Sequence, residues 1–564
     1  MKLSWRLGLG RVESVHNYAD VVIPLHQAHA HAPSSQSSHS DDSIEPDDES
    51  EVKGMLDSEA AEYTIDSLRK EVRQGNRGHW TEYELKSRLI NKAIQDIGMG
   101  PYNWKLFVLC GFGWFADNLW LQGVSLCLPS LSAEFDVSEK TVRYTTSALF
   151  VGLSAGSFVW GIGSDIFGRR PAFNFTLLIA SVFGIAAAHV GSWPAVCAML
   201  AALGFGVGGS LPVDGALFLE FLPDANSSLL TLLSVWWPLG QLAASLAAWY
   251  CMTAWPVDQG WRSFLVTIGI VTLAMFCLRF FAFGLLESPK FLLVKGRQTE
   301  AVAVVHGIAY RNKTYTWLTS DLLDQVAADP LARPISSPTS TSAAWTSRLK
   351  ALSGQRLRLL FQSKTLGLAT ALVWFCWTSI GMGYPLFNAF LPQYLSHSHG
   401  QMQAETAPIS SQTYRNYAIS SVLGVPGSLV AARLVDHSSP LLGRRGTLAG
   451  STLISAIFLF LFVSLGSTPG PQLAFSCVEA FAQNIMYGVL YAFTPEIFPA
   501  PVRGAGTGVA SFLNRVAGLI APLLAASIPG DGATTPVYIS AVLILSAFVA
   551  MCLIPIETRG AQRL

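Results

Sequence analysis

The chain copies itself. Gly161-x-x-x-Asp165-x-x-Gly168-Arg169-Arg170 closes one hydrophobic hairpin, and Asp436 followed by Gly443-Arg444-Arg445 closes another. Glu220-Phe-Leu-Pro223 returns as Glu496-Ile-Phe-Pro499, and Glu287-Ser-Pro-Lys290 as Glu557-Thr-Arg-Gly560. Asp165 and Asp436, Glu220 and Glu496, and Glu287 and Glu557 stand 271, 276 and 270 residues apart. A nearly constant offset means that one half repeats the other in the same orientation, which predicts two parallel bundles.

Composition decides the solvent of those bundles. Of 564 residues, 51% are hydrophobic and 13% charged, about half the charge of an average soluble domain. The charges crowd the first hundred residues and the segment 287–364, leaving apolar stretches of about 20 residues, the length that crosses roughly 30 Å of hydrocarbon. The fold class expected is therefore an all-α membrane protein. The zero net charge implies no nucleic-acid partner. All eight cysteines fall inside apolar segments without a Cys-x-x-Cys spacing, and they read as small packing residues, neither disulfides nor metal ligands.

Residues 1–104 read as a polar, largely disordered cytoplasmic tail, with seven acids between Asp41 and Glu51. His26, His29 and His31 are read as solvated, not as a metal site. Within the tail, Thr81 and Glu84 match a capping box. Leu85, Leu89, Ala93, Ile94 and Ile97 then recur at helical spacing up to Gly98, which predicts an amphipathic helix on the membrane surface or against the bundle. Twelve spans follow, six within 105–286 and six within 365–557. Between them lies a cytoplasmic loop, 287–364, helical near 300–309 and Pro/Ser/Thr-rich near 330–342. A short cytoplasmic tail, 558–564, ends the chain. The loop 287–364 has eleven Lys and Arg while the loop 393–414 has none. Both termini are therefore expected in the cytoplasm, and the sequons at Asn174, Asn226 and Asn312 are expected to stay bare.

The cluster from Gly161 to Arg170 and its weaker copy at Asp436 resemble the signature of the major facilitator superfamily. Glu287-Ser-Pro-Lys290, Pro495-Glu496-Ile-Phe-Pro499 and Arg503-Gly504 look like its sugar-porter branch, and Gly111-Phe-Gly113-Trp-Phe-Ala-Asp117 resembles the neighbouring branch of synaptic vesicle glycoprotein relatives and organic-ion carriers. The resemblance covers residues 95–560 and implies twelve helices in two six-helix bundles. Two departures narrow the substrate. The seventh span has Asn388 as its only amide where hexose porters carry a Gln-Gln pair, and Trp236-Trp237-Pro238-Leu239-Gly240-Gln241 stands where drug/proton antiporters carry a Gly-Pro run.

The motif residues suit a span end. Asp165 can pair with a guanidinium or a helix N-terminus, Gly161 and Gly168 permit close approach and a tight turn, and Arg169 and Arg170 anchor the next span. The resemblance implies that this cluster latches the two halves when the cytoplasmic gate is closed, a role carried also to Asp436, Arg444 and Arg445. Topology anchoring alone is the other reading.

Charges at membrane depth are costly unless paired or wet. Asp117, Asp214, Glu479 and Arg515 lie at such depth, with the amides Gln241, Asn388, Gln483 and Asn484. By the resemblance, spans one, four, seven and ten line a central cavity that Asp117, Asp214, Asn388, Glu479 and Gln483 could reach. Asp117 is either a proton-titrating group or a static partner of Arg515. Arg279 is expected to snorkel to the cytoplasmic interface. Trp114, Trp120, Trp236, Trp237, Trp374 and Trp377 either face the cavity or pack elsewhere.

These features together predict a secondary carrier of a small organic solute, an organic ion or metabolite. Alternating access and proton coupling would drive it, as a monomer in the plasma membrane and without a cofactor. No Walker-type loop is present to use ATP. An efflux carrier for a secondary metabolite and a non-transporting sensor of the same fold are the alternatives, and an enzyme is not expected.

Overall fold

The computed structural model describes residues 13–25, 27, 64–73, 82–223, 226, 228–327, 358, 360–391, 411–435, 443–466, 468–498, 503–527 and 534–556. Asp436, Thr81, the acidic run 41–51, His26, His29, His31, residues 330–342 and residues 557–564 lie outside them. Among the described residues every regular element is helical, apart from one bridge between Val22 and Thr316. Contacts divide the chain into two compact units, one of residues 1–106, 219–226 and 285–339, the other of residues 107–218, 227–284 and 340–564.

The smaller unit assembles around the helix Glu82–Ile97, whose Leu85, Leu89, Ala93, Ile94 and Ile97 are all buried. Gly98, at φ 72°, ends it. The apolar stripe packs against Pro289–Val294, Gln298–Asn312 and Ser320–Ala327. Lys86 Nζ reaches Glu82 at 2.7 Å, Asp324 at 2.8 Å and Gln298 Oε1 at 2.6 Å. Val15–Val21 lies on Gln298–Asn312, where the rings of Tyr18 and Tyr310 approach to 5.6 Å. Besides the expected helix Glu82–Ile97, the segment read from its polarity as a largely unordered tail contributes two more helical pieces, Val15–Val21 and Ile65–Arg73. Their apolar positions are covered by side chains from some 200 residues downstream, which a local reading of composition does not see.

The larger unit contains helices long and apolar enough to cross a bilayer. Ten meet that measure among the described residues: Arg169–Ala187, Trp193–Phe221, Ser228–Ala254, Val257–Ala282, Lys364–Ala389, Ser411–Leu434, Arg444–Ser464, Pro469–Ile497, Gly506–Ser527 and Thr534–Leu553. They are spans 3 to 12. Pro101–Phe135 and Tyr144–Phe167 precede them as spans 1 and 2. Span 1 is the more polar because Asp117, Asn118 and Gln122 lie in its middle.

The two most extensive helix contacts join spans 2 and 4 and spans 8 and 10, equivalent pairs in the repeated halves. Small residues make the first possible. A Cβ on Gly152, Gly156, Gly204 or Gly208 would collide with a backbone carbonyl of the facing helix, so the helices touch backbone to backbone. Ser157 Oγ then donates to Gly208 O at 2.6 Å across the crossing. The halves meet through spans 2 and 11 and spans 5 and 8.

Candidate functional site

Between the halves lies a cavity of two chambers of about 30 and 60 Å3, each with room for a few waters or a small polar headgroup in this conformation. The first is named here for Glu479 and also takes in Gln122, Asn388, Asn416 and Tyr417. The second is named for Arg515 and takes in Asp117, Asn118, Tyr384, Tyr487 and Tyr491. Gln241 and Gln483 line both and stand between them.

Span 10 supplies the spine of the site. Glu479, Gln483, Tyr487 and Tyr491 recur four residues apart, each one turn from the next, so the stripe winds slowly down about 18 Å of helix. It begins acidic, passes through an amide and ends aromatic.

In the Arg515 chamber, Arg515 Nη2 lies 3.6 Å from Asp117 Oδ1, both side chains nearly fully buried. The pair joins span 1 of the first half to span 11 of the second. Gln241 Nε2 donates to Asn118 Oδ1 and to the Tyr384 hydroxyl, each at 3.0 Å, and that hydroxyl lies 3.3 Å from Asn118 Oδ1. Spans 1, 5 and 7 are thereby tied in a triangle at the division of the cavity. Beside it Asn388 Nδ2 meets Gln483 Oε1 at 3.5 Å. Asn484 lines the Arg515 chamber and donates to Ala480 O of its own helix.

Aromatic rings form the wall behind. Tyr491 lies 4.7 Å from Trp377, 4.9 Å from Trp237 and 5.3 Å from Trp114. Of the six tryptophans considered from sequence, Trp237 lines a chamber. Trp377 meets Tyr491 edge to face, and Trp114 lies tilted against it. Trp236 packs on Phe107 and Phe112, Trp374 donates to Gly506 O, and Trp120 donates to Thr272 Oγ1.

The halves also touch at both ends of the cavity. At the end of span 5 nearest Ser228, the helix Ser228–Leu232 packs on spans 8 and 10. At the opposite end Arg143 Nη1 donates to Ala525 O at 2.7 Å with its guanidinium 5.2 Å over the Phe390 ring, and Trp249 Nε1 donates to Ser411 Oγ at 2.9 Å. The halves therefore touch on either side of the cavity.

Asp214 lies apart from both chambers. It is fully buried and paired with Arg279, Nη2 to Oδ2 at 2.6 Å. Arg279 does not snorkel. It turns inward because the carboxylate and the carbonyls of Leu109 and Phe173 offer it acceptors, with the Phe173 ring 3.8 Å away. At the motif turn, Gly168 adopts φ 106°, a conformation that favours glycine. Gly161 has open space where a side chain would project, so it marks no close helix approach. Asp165 ends span 2, Arg169 and Arg170 begin span 3, and Arg170 is buried. In the second copy Arg444 pairs with Glu496 at the end of span 10, and Arg445 donates to Cys552 O at 2.9 Å. Both contacts lie within the second half. The role of Glu496 was legible only as a repeated motif. Tyr487 and Tyr491 could have been found by extending the four-residue spacing beyond Gln483.

The family model described as Major Facilitator Superfamily matches residues 106–441 and 373–564. The chain belongs to the major facilitator superfamily. It is accordingly an integral, multi-pass membrane transporter of a small molecule, not an enzyme. It is 41% identical over 493 residues to the MFS siderochrome iron transporter 1 of Ceriporiopsis subvermispora (strain B), covering 86% of this chain and 92% of that protein. It is 28% identical over 486 residues to the synaptic vesicle 2-related protein of Bos taurus, covering 84% and 81%. In fold it is similar to the proton:xylose symporter XylE bound to 6-bromo-6-deoxy-D-glucose, with TM-score 0.61, 17% identity, and 81% and 97% of the two chains covered. The sugar-porter and synaptic-vesicle branch suggested by the motifs is the branch in which this facilitator's relatives lie.

Proposed function

We propose that this facilitator is a secondary active, proton-coupled carrier of a small organic solute, an organic ion or metabolite, working by alternating access. The observation that carries the reading is the Asp117–Arg515 pair, which joins the two halves inside a polar and aromatic chamber that lies between them. An ion pair across two moving bodies responds to protonation of its carboxylate and to a polar solute, so both can bias the rocking of the halves. The contacts at both ends of the cavity support an occluded intermediate of that cycle. The siderochrome iron in the Ceriporiopsis relative's name fits a solute other than a simple sugar.

Residues 105–286 and 365–557 are read as the two bundles. Asp165, Arg169 and Arg170, with Asp436, Arg444 and Arg445, are read as the latch of their cytoplasmic ends, with Gly168 shaping the turn and Gly161 preceding it in the motif. The basic residues of 287–364 support cytoplasmic termini, with a monomer in the plasma membrane as the working form.

Solute flux into proteoliposomes under an imposed pH gradient tests the coupling. Wild type is expected to be driven by the gradient, and Asp117→Asn to exchange solute without being driven by it. A variant still driven by the gradient removes Asp117 from this role. Tags at the two ends reached from opposite faces of the membrane would overturn the topology.

A further inference from the structure

Four buried or half-buried carboxylates of the larger unit each face an arginine: Asp117 with Arg515, Asp214 with Arg279, Glu134 with Arg262, and Glu496 with Arg444. Glu479 does not. It is 2% exposed, and its hydrogen bond among the described residues comes from Ser455 Oγ at 3.3 Å. Among the described residues no lysine, arginine or histidine lines its chamber. A carboxylate at membrane depth without a cation is strongly disfavoured.

The same chamber holds three more unsatisfied groups. Gln122 Nε2, Asn416 Oδ1 and the Tyr417 hydroxyl are buried without hydrogen-bond partners, on side chains 5%, 6% and 6% exposed, and all three residues line it. Buried polar atoms normally find partners, so a cluster of orphans around a cavity points to a ligand. Two of the groups accept, Glu479 and Asn416, and the tyrosine hydroxyl does either. That set suits a charged nitrogen that carries hydrogens. The chamber is small, about 30 Å3, the scale of an ammonium headgroup, and it adjoins the aromatic Arg515 chamber of about 60 Å3 at Gln241 and Gln483.

We propose that the Glu479 chamber is a recognition subsite for the protonated amine of the solute, with the solute's flat or apolar part lying along Tyr487 and Tyr491. The subsite rests on the carrier reading and gives its solute a charge. Asn416 and Tyr417, from span 8, are specificity-determining residues in it. Gln122 Nε2 donates to a neighbouring oxygen of the same solute.

The test is equilibrium binding to the full chain in nanodiscs at neutral pH, read by tryptophan fluorescence and calorimetry. The probes are 2-phenylethylamine, 2-phenylethanol and 3-phenylpropanoate, similar in size and different in charge, with sodium chloride alone as a fourth arm. The amine is expected to bind about tenfold or more tighter than the alcohol, the effect of one charge-assisted hydrogen bond, and the carboxylate weakest. Glu479→Gln is expected to bring the ratio of amine to alcohol binding close to one, and Glu479→Asp to keep a clear preference for the amine. The Asp variant, which keeps the charge, guards against a loss caused by misfolding. Equal binding of the three probes, preference for the carboxylate, an amine preference that survives Glu479→Gln, a response to sodium alone, or no binding of any probe at millimolar concentration overturns the subsite. Selective amine binding without any flux in proteoliposomes would keep the subsite and remove the carrier reading.

Discussion

Arg279 Nη2 lies 2.6 Å from Asp214 Oδ2 with both side chains wholly buried. The pair ties span 6 to span 4, and the carbonyls of Leu109 and Phe173 extend the tie to spans 1 and 3. A Cβ on Gly113 would collide with the carboxylate, so span 1 is cut away to admit it. Arg279→Ala strands a buried carboxylate and is expected to cost about 3–5 kcal/mol, seen as a fall in thermal stability in detergent. The double variant Asp214→Asn, Arg279→Met should recover part of the loss. Unchanged stability in Arg279→Ala would show that the pair is not a structural tie.

The crossing of spans 2 and 4 makes a steric prediction. Gly204→Leu or Gly156→Leu pushes apart backbones that touch at Leu149 O and Phe205 O. Overpacking of this kind costs about 1–3 kcal/mol or more. Poor yield and early aggregation on size-exclusion chromatography are expected. Gly161→Leu, with open space around it, should behave as wild type in the same measurement.

The triangle of Gln241, Asn118 and Tyr384 can be dismantled one side chain at a time. Tyr384→Phe removes the hydroxyl that accepts from Gln241 and donates to Asn118, and is expected to weaken the closed state by about 1–3 kcal/mol, the sum of two ordinary hydrogen bonds. Gln241→Leu removes both bonds and places an apolar group between polar walls. The expected readout is faster labelling of a cysteine placed at Ser420 by a membrane-impermeant thiol reagent, larger for Gln241→Leu than for Tyr384→Phe. Labelling rates equal to wild type in both would mean that the triangle does not hold the passage shut.

In the smaller unit His306 is buried, its Nε2 bonded to Leu318 O at 2.7 Å and its Nδ1 without a partner. Burial holds its pKa below the ordinary 6.5. The unfolded chain therefore takes up the proton first. The stability contribution of neutral His306 is complete above pH 6.5 and is lost as pH falls from there through the lower folded-state value. Hydrogen exchange over residues 298–327, corrected for intrinsic rate, should accelerate between pH 7.5 and pH 5.5, and His306→Gln should flatten the difference. A wild-type profile without pH dependence would show that burial leaves the imidazole's proton affinity as it is in the unfolded chain.

Hydropathy and the internal repeat made the helical architecture legible, because both depend on which residues occur and how far apart. Depth along a helix was legible too, and it placed Asp117, Glu479, Gln483 and Arg515 at the level of the cavity. Rotation about the helix axis was not. Asp214 and Arg279 have the right depth but face each other inside one half, a phase set by neighbouring helices and not by their own span. Asn416 and Tyr417 were missed for the same reason. Within residues 13–97 the helix Glu82–Ile97 was legible from its apolar spacing, whereas Val15–Val21 and Ile65–Arg73 were not, because their partners are remote in sequence.

The narrowest point between the chambers is built from hydrogen bonds rather than bulk. Both amide hydrogens of Gln241 are committed there, one to each neighbour. A visitor rich in oxygen or nitrogen can replace those partners one for one as it passes, at little net cost, whereas a hydrocarbon of equal girth leaves them stranded. Passage is then sorted by exchange chemistry as well as by size, and a leak of apolar molecules is suppressed without a rigid wall.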